Sequence, residues 1–361
     1  MRAMRNAFCA AITCLVLTGC GDAPESGAPA FSKVQGWGTL PDGQVLGTVS
    51  GVAVDAQDNI WVLHRPRTVA ADVPGTSAPS VVRFDAAGTM LDAWGGPSVD
   101  YAWPQNEHGI HVDGEGFVWI SGNYCSETNT GGTNPPNDDH ILKLTADGDL
   151  VMQIGSPGES TGNADTENFH RAAAMQVHAA TGELFVADGY GNHRVIVLDA
   201  DTGAYRRMWG AFGNVPRDDH RCDPRFLGPD APAWDQDQFS IVHGLAVSND
   251  GFVYVADREN ARVQVFSLSG EYQDQIDLGT DSDPMTAAFS PDAEQSLLYV
   301  WGAGQVNVYQ RSTLARVVQI ATAPGSEGPG HMMAVDSMGS IYLARLAGGI
   351  EKLELTSAAG R

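Results

Sequence analysis

Basic residues are scarce in this sequence. It has 21 Lys and Arg against 44 Asp and Glu, which gives a formal net charge of −23 over 361 residues. Binding of a phosphate backbone needs a basic surface, so a nucleic-acid partner is excluded. Lysine is especially rare, whereas glycine, aspartate and β-branched residues are abundant, so the composition favours short strands and turns over long helices.

Long hydrophobic runs are also missing. The longest lies between Ala7 and Leu17 near the N-terminus and is too short for a good membrane span. Arg2 and Arg5 precede this run, and Leu17-Thr18-Gly19-Cys20 follows it, so the segment resembles a bacterial lipoprotein signal. An ordinary secretory signal is the alternative.

The lipoprotein resemblance predicts three segments. Residues 1–19 would be a signal peptide, 20–30 a flexible tether and 31–361 the globular domain. Cleavage before Cys20 would attach lipid to its thiol and thereby anchor the protein to a membrane. Gly21 rather than aspartate follows Cys20, which favours the outer membrane, facing the periplasm or the cell surface.

Cysteines outside the signal are few. Of five cysteines, Cys9, Cys14 and Cys20 belong to the signal, and only Cys125 and Cys222 remain. An oxidising compartment allows two such cysteines to pair, so a disulfide between them is expected, with two free thiols as the alternative.

The sequence contains an internal repeat with a period of roughly forty residues or more. Six units can be aligned, each with an apolar first strand, a tight polar turn and further short strands. Four short antiparallel strands per unit predict an all-β fold, a six-bladed β-propeller. The sixth unit stops after its third strand, and Ser32–Gly38 resembles the fourth strands of other units. We therefore expect an N-terminal strand in the last blade to close the ring.

Long insertions mark one face of the predicted propeller. They are Pro66–Ser80, Tyr124–Asp139 and roughly Ala211–Gln238. In propeller topology all three lie on the face where first strands begin, which favours a site there. Cys125 and Cys222 lie in two of these insertions, consistent with the expected disulfide.

Three histidines share one repeat position, immediately before a first strand. They are His108, His243 and His331, in units two, four and six, while units one, three and five carry Ser50, Ala173 and Met285. First strands line the axis of a propeller, so the imidazoles should converge from alternate blades. Three nitrogen ligands with an open fourth position are typical of catalytic zinc. The alternative is three polar channel residues.

Further polar side chains begin the loops between second and third strands on the same face. Arg65 and Arg258 share a repeat position, and Tyr190 stands one residue further on in its unit. Two guanidinium groups and a phenol beside a metal could bind a carboxylate and move a proton. Ordinary salt bridges between blades are the alternative, and this is the stronger interpretation for Asp188 and Asp257.

Several short sequence segments resemble those of one enzyme family. They include Leu63-His64-Arg65, His108-Gly109-Ile110, Asp188-Gly189-Tyr190 and Val255-Ala256-Asp257-Arg258. In this order they resemble the peptidyl-α-hydroxyglycine α-amidating lyases, NHL-type six-bladed propellers, over almost all of residues 40–355. The resemblance implies Zn²⁺ on His108, His243 and His331, a catalytic Tyr190, and substrate-binding or catalytic Arg65 and Arg258.

The chain departs from that family in two respects. Met332 replaces an aspartate that helps to bind a structural calcium in the family, which argues against calcium here. His170 and Gly191 stand near the positions of a family disulfide, and a second family disulfide is also missing.

The resemblance implies a zinc-dependent lyase. It would split the N–C bond of a peptidyl-α-hydroxyglycine, or of a related α-hydroxy amide, into an amide and glyoxylate. The partners expected are a small peptide or α-hydroxy amide substrate and the membrane that holds the lipid, with the protein as a monomer. A non-catalytic NHL-type propeller that binds a protein or cell-envelope component is the first alternative. A calcium-dependent lactonase-type propeller is the second, but it needs axial oxygen ligands where this chain has imidazoles.

Overall fold

The computed structural model describes residues 28–126, 135–218, 236–279, 283–322, 330–347 and 349–357. Regular structure in these ranges is almost entirely β-strand, apart from two 3-10 turns of helix at Pro66–Thr68 and Ala211–Gly213. None of the helices in these ranges has the length and apolar character that a membrane crossing requires. The predicted signal segment, Cys20 and Cys222 lie outside the described residues.

The strands follow the predicted order along the chain. The N-terminal segment and blade one contain β1 (Ala30–Val34), β2 (Gln44–Val45), β3 (Thr48–Val54), β4 (Ile60–Arg65), β5 (Thr76–Ser77), β6 (Val81–Phe84) and β7 (Met90–Trp94). Blade two contains β8 (Glu107–Val112), β9 (Val118–Gly122), β10 (His140–Leu144) and β11 (Leu150–Gly155). Blade three contains β12 (Ala174–His178), β13 (Glu183–Asp188), β14 (Arg194–Asp199) and β15 (Tyr205–Trp209).

The second half of the chain repeats this arrangement. Blade four contains β16 (Val242–Val247), β17 (Phe252–Asp257), β18 (Arg262–Ser267) and β19 (Tyr272–Asp277). Blade five contains β20 (Pro284–Phe289), β21 (Leu297–Gly302), β22 (Gln305–Gln310) and β23 (Ala315–Ala321). Blade six contains β24 (Gly330–Val335), β25 (Ile341–Arg345) and β26 (Gly349–Ser357).

Each blade in the described residues is a four-stranded antiparallel sheet, so the fold is the predicted all-β, six-bladed β-propeller. Five blades take their strands consecutively from the chain. In the last sheet the order is β1-β26-β25-β24, with Phe31 opposite Leu355 and Val34 opposite Lys352. The outer strand of blade six therefore comes from the N-terminal segment and covers the edge of β26. A small parallel pair, β2 with β5, lies beside blade one.

The hydrophobic core is divided among the interfaces between neighbouring blades. One cluster joins Val62 of blade one to Tyr342 of blade six, and another joins Phe185 of blade three to Val255 of blade four. Each sheet thus buries both faces, which explains second strands that are apolar at nearly every position, such as β4 and β25.

The turns between first and second strands are fixed by a repeated aspartate. Asp55 accepts a hydrogen bond from Trp61 Nε1 at 2.9 Å, and Asp113 accepts one from Trp119 Nε1 at 2.8 Å. These carboxylates also accept backbone N–H groups of their own turns. These contacts stabilise short turns on this face of the propeller.

Candidate active site and metal centre

The three histidines enter the axis at irregularities in the first strands. His108, His243 and His331 are the second residues of β8, β16 and β24, one step inside the strand rather than before it as the sequence predicted. In each strand the pairing register shifts at the histidine, as between Val242 and Gly244 in blade four. Such a β-bulge re-aims a side chain, so the imidazoles turn toward the axis.

The structure brings the three imidazoles together. Their ring centroids are 4.5 Å apart for His108 and His331, 4.8 Å for His243 and His331, and 5.1 Å for His108 and His243. One nitrogen of each ring lies within 4.8 Å of the others, and all three residues are buried. Among the described residues this is the cluster whose donor set suits a metal ion.

A backbone carbonyl fixes each ring. His108 Nδ1 donates to Ala173 O at 2.7 Å, His243 Nδ1 to Met285 O at 2.8 Å, and His331 Nδ1 to Ser50 O at 2.5 Å. A carbonyl oxygen can only accept, so Nδ1 carries the proton and Nε2 is the acceptor nitrogen of each ring, on the side of the histidine cluster. The three acceptor residues stand in blades one, three and five, at the repeat position that histidine occupies in blades two, four and six. Each histidine is therefore oriented by the next blade around the ring.

Two glycines allow these carbonyls to approach. A Cβ on Gly109 would lie 2.5 Å from Ala173 O, and one on Gly244 would lie 2.6 Å from Met285 O. Any larger residue after the histidine would push away the oxygen that orients its ring. In blade six the corresponding residue is Met332, so a glycine permits the close approach of the carbonyl in blades two and four.

Burial keeps the imidazoles of His108 and His331 neutral. Burial, together with the positive charges of Arg65 and Arg258, lowers the pKa of His331 to about 3, although the hydrogen bond to Ser50 O opposes this effect. Burial also lowers the pKa of His108 well below its ordinary value, assisted by repulsion from His331, His243 and Arg65. Neutral rings whose Nδ1–H groups are bonded to carbonyls offer Nε2 as the ligand atom, which is the form in which histidine binds metals, so the donor set fits Zn²⁺.

Tyr190 lies directly against this cluster. Its hydroxyl donates to His108 Nε2 at 3.0 Å, and its ring packs between Ala173 and Ile241 in a small buried cluster of its own. The Tyr190 ring centroid is 5.7 Å from that of His243. The sequence prediction that Tyr190 faces the histidines agrees with this placement.

Both predicted arginines also reach the site. Arg258 Nη1 donates to the Tyr190 hydroxyl at 3.3 Å, and its remaining nitrogens bind Glu259. Arg65 Nε donates to Glu107 O at 2.9 Å, within electrostatic range of Tyr190 and His108. Burial lowers the pKa of Arg65, although Tyr190 opposes that effect. The buried guanidinium group of Arg258 and the half-buried one of Arg65, beside the imidazoles, give the site a positive potential suited to a carboxylate.

Asp188 and Asp257 serve the framework rather than the site. Asp188 Oδ2 accepts from Arg194 Nε at 2.9 Å, and Asp257 Oδ2 from Arg262 Nε at 2.7 Å, with both carboxylates fully buried. Their other oxygens accept backbone N–H groups at the start of the same blades. The two residues do form salt bridges, as predicted, but each bridge joins neighbouring strands of one blade, so the prediction that they connect different blades is wrong.

Sequence reasoning missed two neighbours of the site. Glu107, just before His108, is buried and binds Ser80 Oγ, Trp103 Nε1 and Arg67 Nη1. Arg171 is buried beneath Tyr190 and donates to its backbone carbonyl. Neither stands at a position that recurs with the same residue type in other blades, so the repeat offered no signal for them.

The cysteine prediction is tested only in part. Cys125 is buried and disulfide-bonded. Its predicted partner, Cys222, lies outside the described residues.

Comparisons with known proteins find an NHL repeat in this chain and relatives at low identity. An NHL repeat model matches residues 239–266. The chain is 27% identical to mouse NHL repeat-containing protein 3, over 88% of this chain and 82% of that protein. A structure titled streptogramin B lyase superposes with a TM-score of 0.55 at 14% identity, covering 91% of this chain and 98% of the other. That likeness shows the fold alone.

Amidating enzymes are also among the relatives. The chain is 26% identical to a probable peptidyl-α-hydroxyglycine α-amidating lyase of Caenorhabditis elegans, over 62% of this chain and 56% of that protein. It is 26% identical to peptidyl-α-hydroxyglycine α-amidating lyase 1 of Drosophila melanogaster, over 71% of this chain and 45% of that protein. The chain thus contains an NHL repeat and is similar, at low identity, both to amidating lyases and to NHL repeat proteins whose names state no activity.

Proposed function

We propose that this protein is a zinc-dependent lyase. It would cleave the N–C bond of a peptidyl-α-hydroxyglycine, or of a related α-hydroxy amide, to give an amide and glyoxylate. The observation that carries the proposal is the buried cluster in which three histidines, Tyr190 and Arg258 meet at the axis. A propeller channel that neither binds a metal nor catalyses a reaction would not require three imidazoles fixed in one tautomer.

The reaction needs a proton to move and a carboxylate to be held. As the N–C bond breaks, the bonding electrons pass to nitrogen, the carbinol oxygen forms a carbonyl group, and its proton is transferred to the leaving amide. When bound, Zn²⁺ supplies a Lewis acid that makes the carbinol hydroxyl more acidic. His108, His243 and His331 would hold the ion through Nε2.

Tyr190 and the arginines supply the remaining roles. The Tyr190 hydroxyl, beside His108 Nε2, stands where it can relay the proton: it gives its own proton to the leaving nitrogen and takes the carbinol proton in its place. Arg65 and Arg258 flank that position, and either guanidinium can bind the substrate carboxylate. The burial of Arg258 and the partial burial of Arg65 limit access of water and strengthen these charge interactions.

The cellular setting is proposed on the sequence alone. Lipid on Cys20 would anchor the protein at the outer membrane with the propeller exposed to the periplasm or cell surface, as a monomer. Any peptide substrate would have to be hydroxylated first by a separate oxygenase.

The decisive experiment combines metal analysis with turnover. The purified propeller should contain about one zinc per chain and release glyoxylate and benzamide from α-hydroxyhippurate. His243→Ala should lose both zinc and glyoxylate release. Zinc binding without release from α-hydroxyhippurate or an α-hydroxyglycine peptide would refute the lyase proposal. Absence of both would favour a non-catalytic NHL-type propeller, in keeping with the relatives named only for their repeats.

A further inference from the structure

We propose that Arg171 is a positioning residue for Tyr190. Its guanidinium donates through Nη2 to the Tyr190 backbone carbonyl, and its Cζ lies 5.9 Å from the centre of the Tyr190 ring. Arg171 is only 2% exposed and is one of the largest fully buried side chains described. Its consequence for turnover rests on the proposed function, but its effect on the position of Tyr190 does not.

The turn that carries Tyr190 is clamped on both sides of the contact with Arg171. Gly189 lies so close to Val242 that a Cβ there would overlap its backbone, and a Cβ on Gly191 would overlap the His170 imidazole. Between these two contacts, Arg171 holds the carbonyl of the tyrosine itself. The main chain of the turn is thus fixed at three consecutive residues, which sets the direction of the phenol.

The backbone of Arg171 is itself in an unusual conformation. Its φ is +64°, and Ile241, at the equivalent position of blade four, has a φ of +59°. A left-handed conformation at a non-glycine residue costs about 1 kcal/mol or more and persists where the surrounding structure requires it. Both residues flank the Tyr190 ring, Ile241 by apolar contact and Arg171 through its guanidinium.

An arginine is a costly choice at this buried position. Desolvating a guanidinium costs several kcal/mol unless charges and hydrogen bonds compensate. Part of the compensation comes from the hydrogen bond to the Tyr190 carbonyl, and Asp139, a carboxyl 1% exposed within electrostatic range of Arg171, adds to it when it is ionised. Arg258 also lies near the ring, with its Cζ 5.5 Å from the ring centre. Tyr190 therefore contacts two guanidinium groups, one at its carbonyl and one at its hydroxyl.

A purely structural role would make different predictions from a positioning role. If Arg171 only fills space, a side chain of similar length should preserve the orientation of Tyr190. If the hydrogen bond to the carbonyl is what matters, loss of the donor should let the turn and the phenol move.

The test replaces Arg171 and observes Tyr190 directly. Arg171→Met keeps length and apolar contact but removes the donors, whereas Arg171→Lys keeps a charged donor. Proteins labelled with 3-fluorotyrosine give one ¹⁹F resonance for each of nine tyrosines, and Tyr190→Phe identifies the relevant one. Arg345→Met is the matched control, because Arg345 is equally buried but binds Glu351 in blade six.

We expect Arg171→Met to shift or split the Tyr190 resonance, Arg171→Lys to restore most of it, and Arg345→Met to leave it in place. With α-hydroxyhippurate, kcat should fall about tenfold in Arg171→Met with KM nearly unchanged, as for a misplaced catalytic group, and Lys should recover part of the loss. If Arg171→Met does not fold, Arg171→Gln, too short to reach the carbonyl, replaces it.

An unmoved Tyr190 resonance in a folded Met or Gln variant would overturn the proposal. A wild type that releases no glyoxylate would refute the lyase function instead, while the resonance would still decide the role of Arg171.

Discussion

Tyr190→Phe is the most informative single substitution at this site. It removes one oxygen and leaves the ring, which packs between Ala173 and Ile241. The lost oxygen donates to His108 Nε2 at 3.0 Å and accepts from Arg258 Nη1 at 3.3 Å. If Tyr190 transfers the carbinol proton, turnover should fall on the order of 10²-fold or more, which is typical of a lost acid–base group.

The cost in stability should be much smaller than the cost in turnover. Two net hydrogen bonds contribute about 1 kcal/mol each, so the free energy of unfolding of the metal-free protein should drop by about 1–2 kcal/mol. Zinc content should not change, because the three imidazoles keep their carbonyl partners. The assay is glyoxylate release from α-hydroxyhippurate, with zinc measured on the same samples.

Tyr342→Phe supplies the matched control. Tyr342 is also buried, and its hydroxyl donates to Asp336 Oδ2 at 3.1 Å at the turn of blade six. The same chemical change there should lower the free energy of unfolding by about 1 kcal/mol and leave turnover unchanged. Wild-type turnover by Tyr190→Phe would refute the assigned role, and loss of zinc from that variant would show that the phenol supports the metal site instead.

Three further predictions follow from the same geometry. Gly244→Ala should displace the Met285 carbonyl from His243 and weaken zinc binding roughly 10-fold or more, measured by competition with a chelator. Gly251→Ala, in the turn between β16 and β17, should leave zinc binding unchanged. Burial raises the pKa of Asp139 from 3.8 to about 7, so the folded state holds a proton there that the unfolded chain releases, and stability falls as pH rises between these values. In the wild type, the free energy of unfolding should fall by on the order of a few kcal/mol between about pH 5 and pH 8, and Asp139→Asn should abolish this fall. Urea unfolding at the two pH values measures both. The unreduced protein should show no reactive thiol at Cys125, and labelling of both Cys125 and Cys222 would contradict the expected bridge.

The sequence by itself determined the architecture and the membership of the site. Strand periodicity and turn residues recur in every unit, because each blade must bury both faces against its neighbours. Histidines at one repeat position in alternate units had to meet at the axis once the ring closed. For the same reason Arg65, Tyr190 and Arg258, all at the ends of second strands, had to lie on the face where those histidines enter.

Only the tertiary structure decided how the site is held. The tautomer of each histidine depends on carbonyls of Ser50, Ala173 and Met285, and a backbone carbonyl has no signature in the sequence. The bulges that turn the imidazoles inward, and the buried Arg171 beneath Tyr190, likewise arise from contacts between blades far apart along the chain. Repetition predicts what every blade shares, whereas the orientation of the site depends on the few contacts in which blades differ.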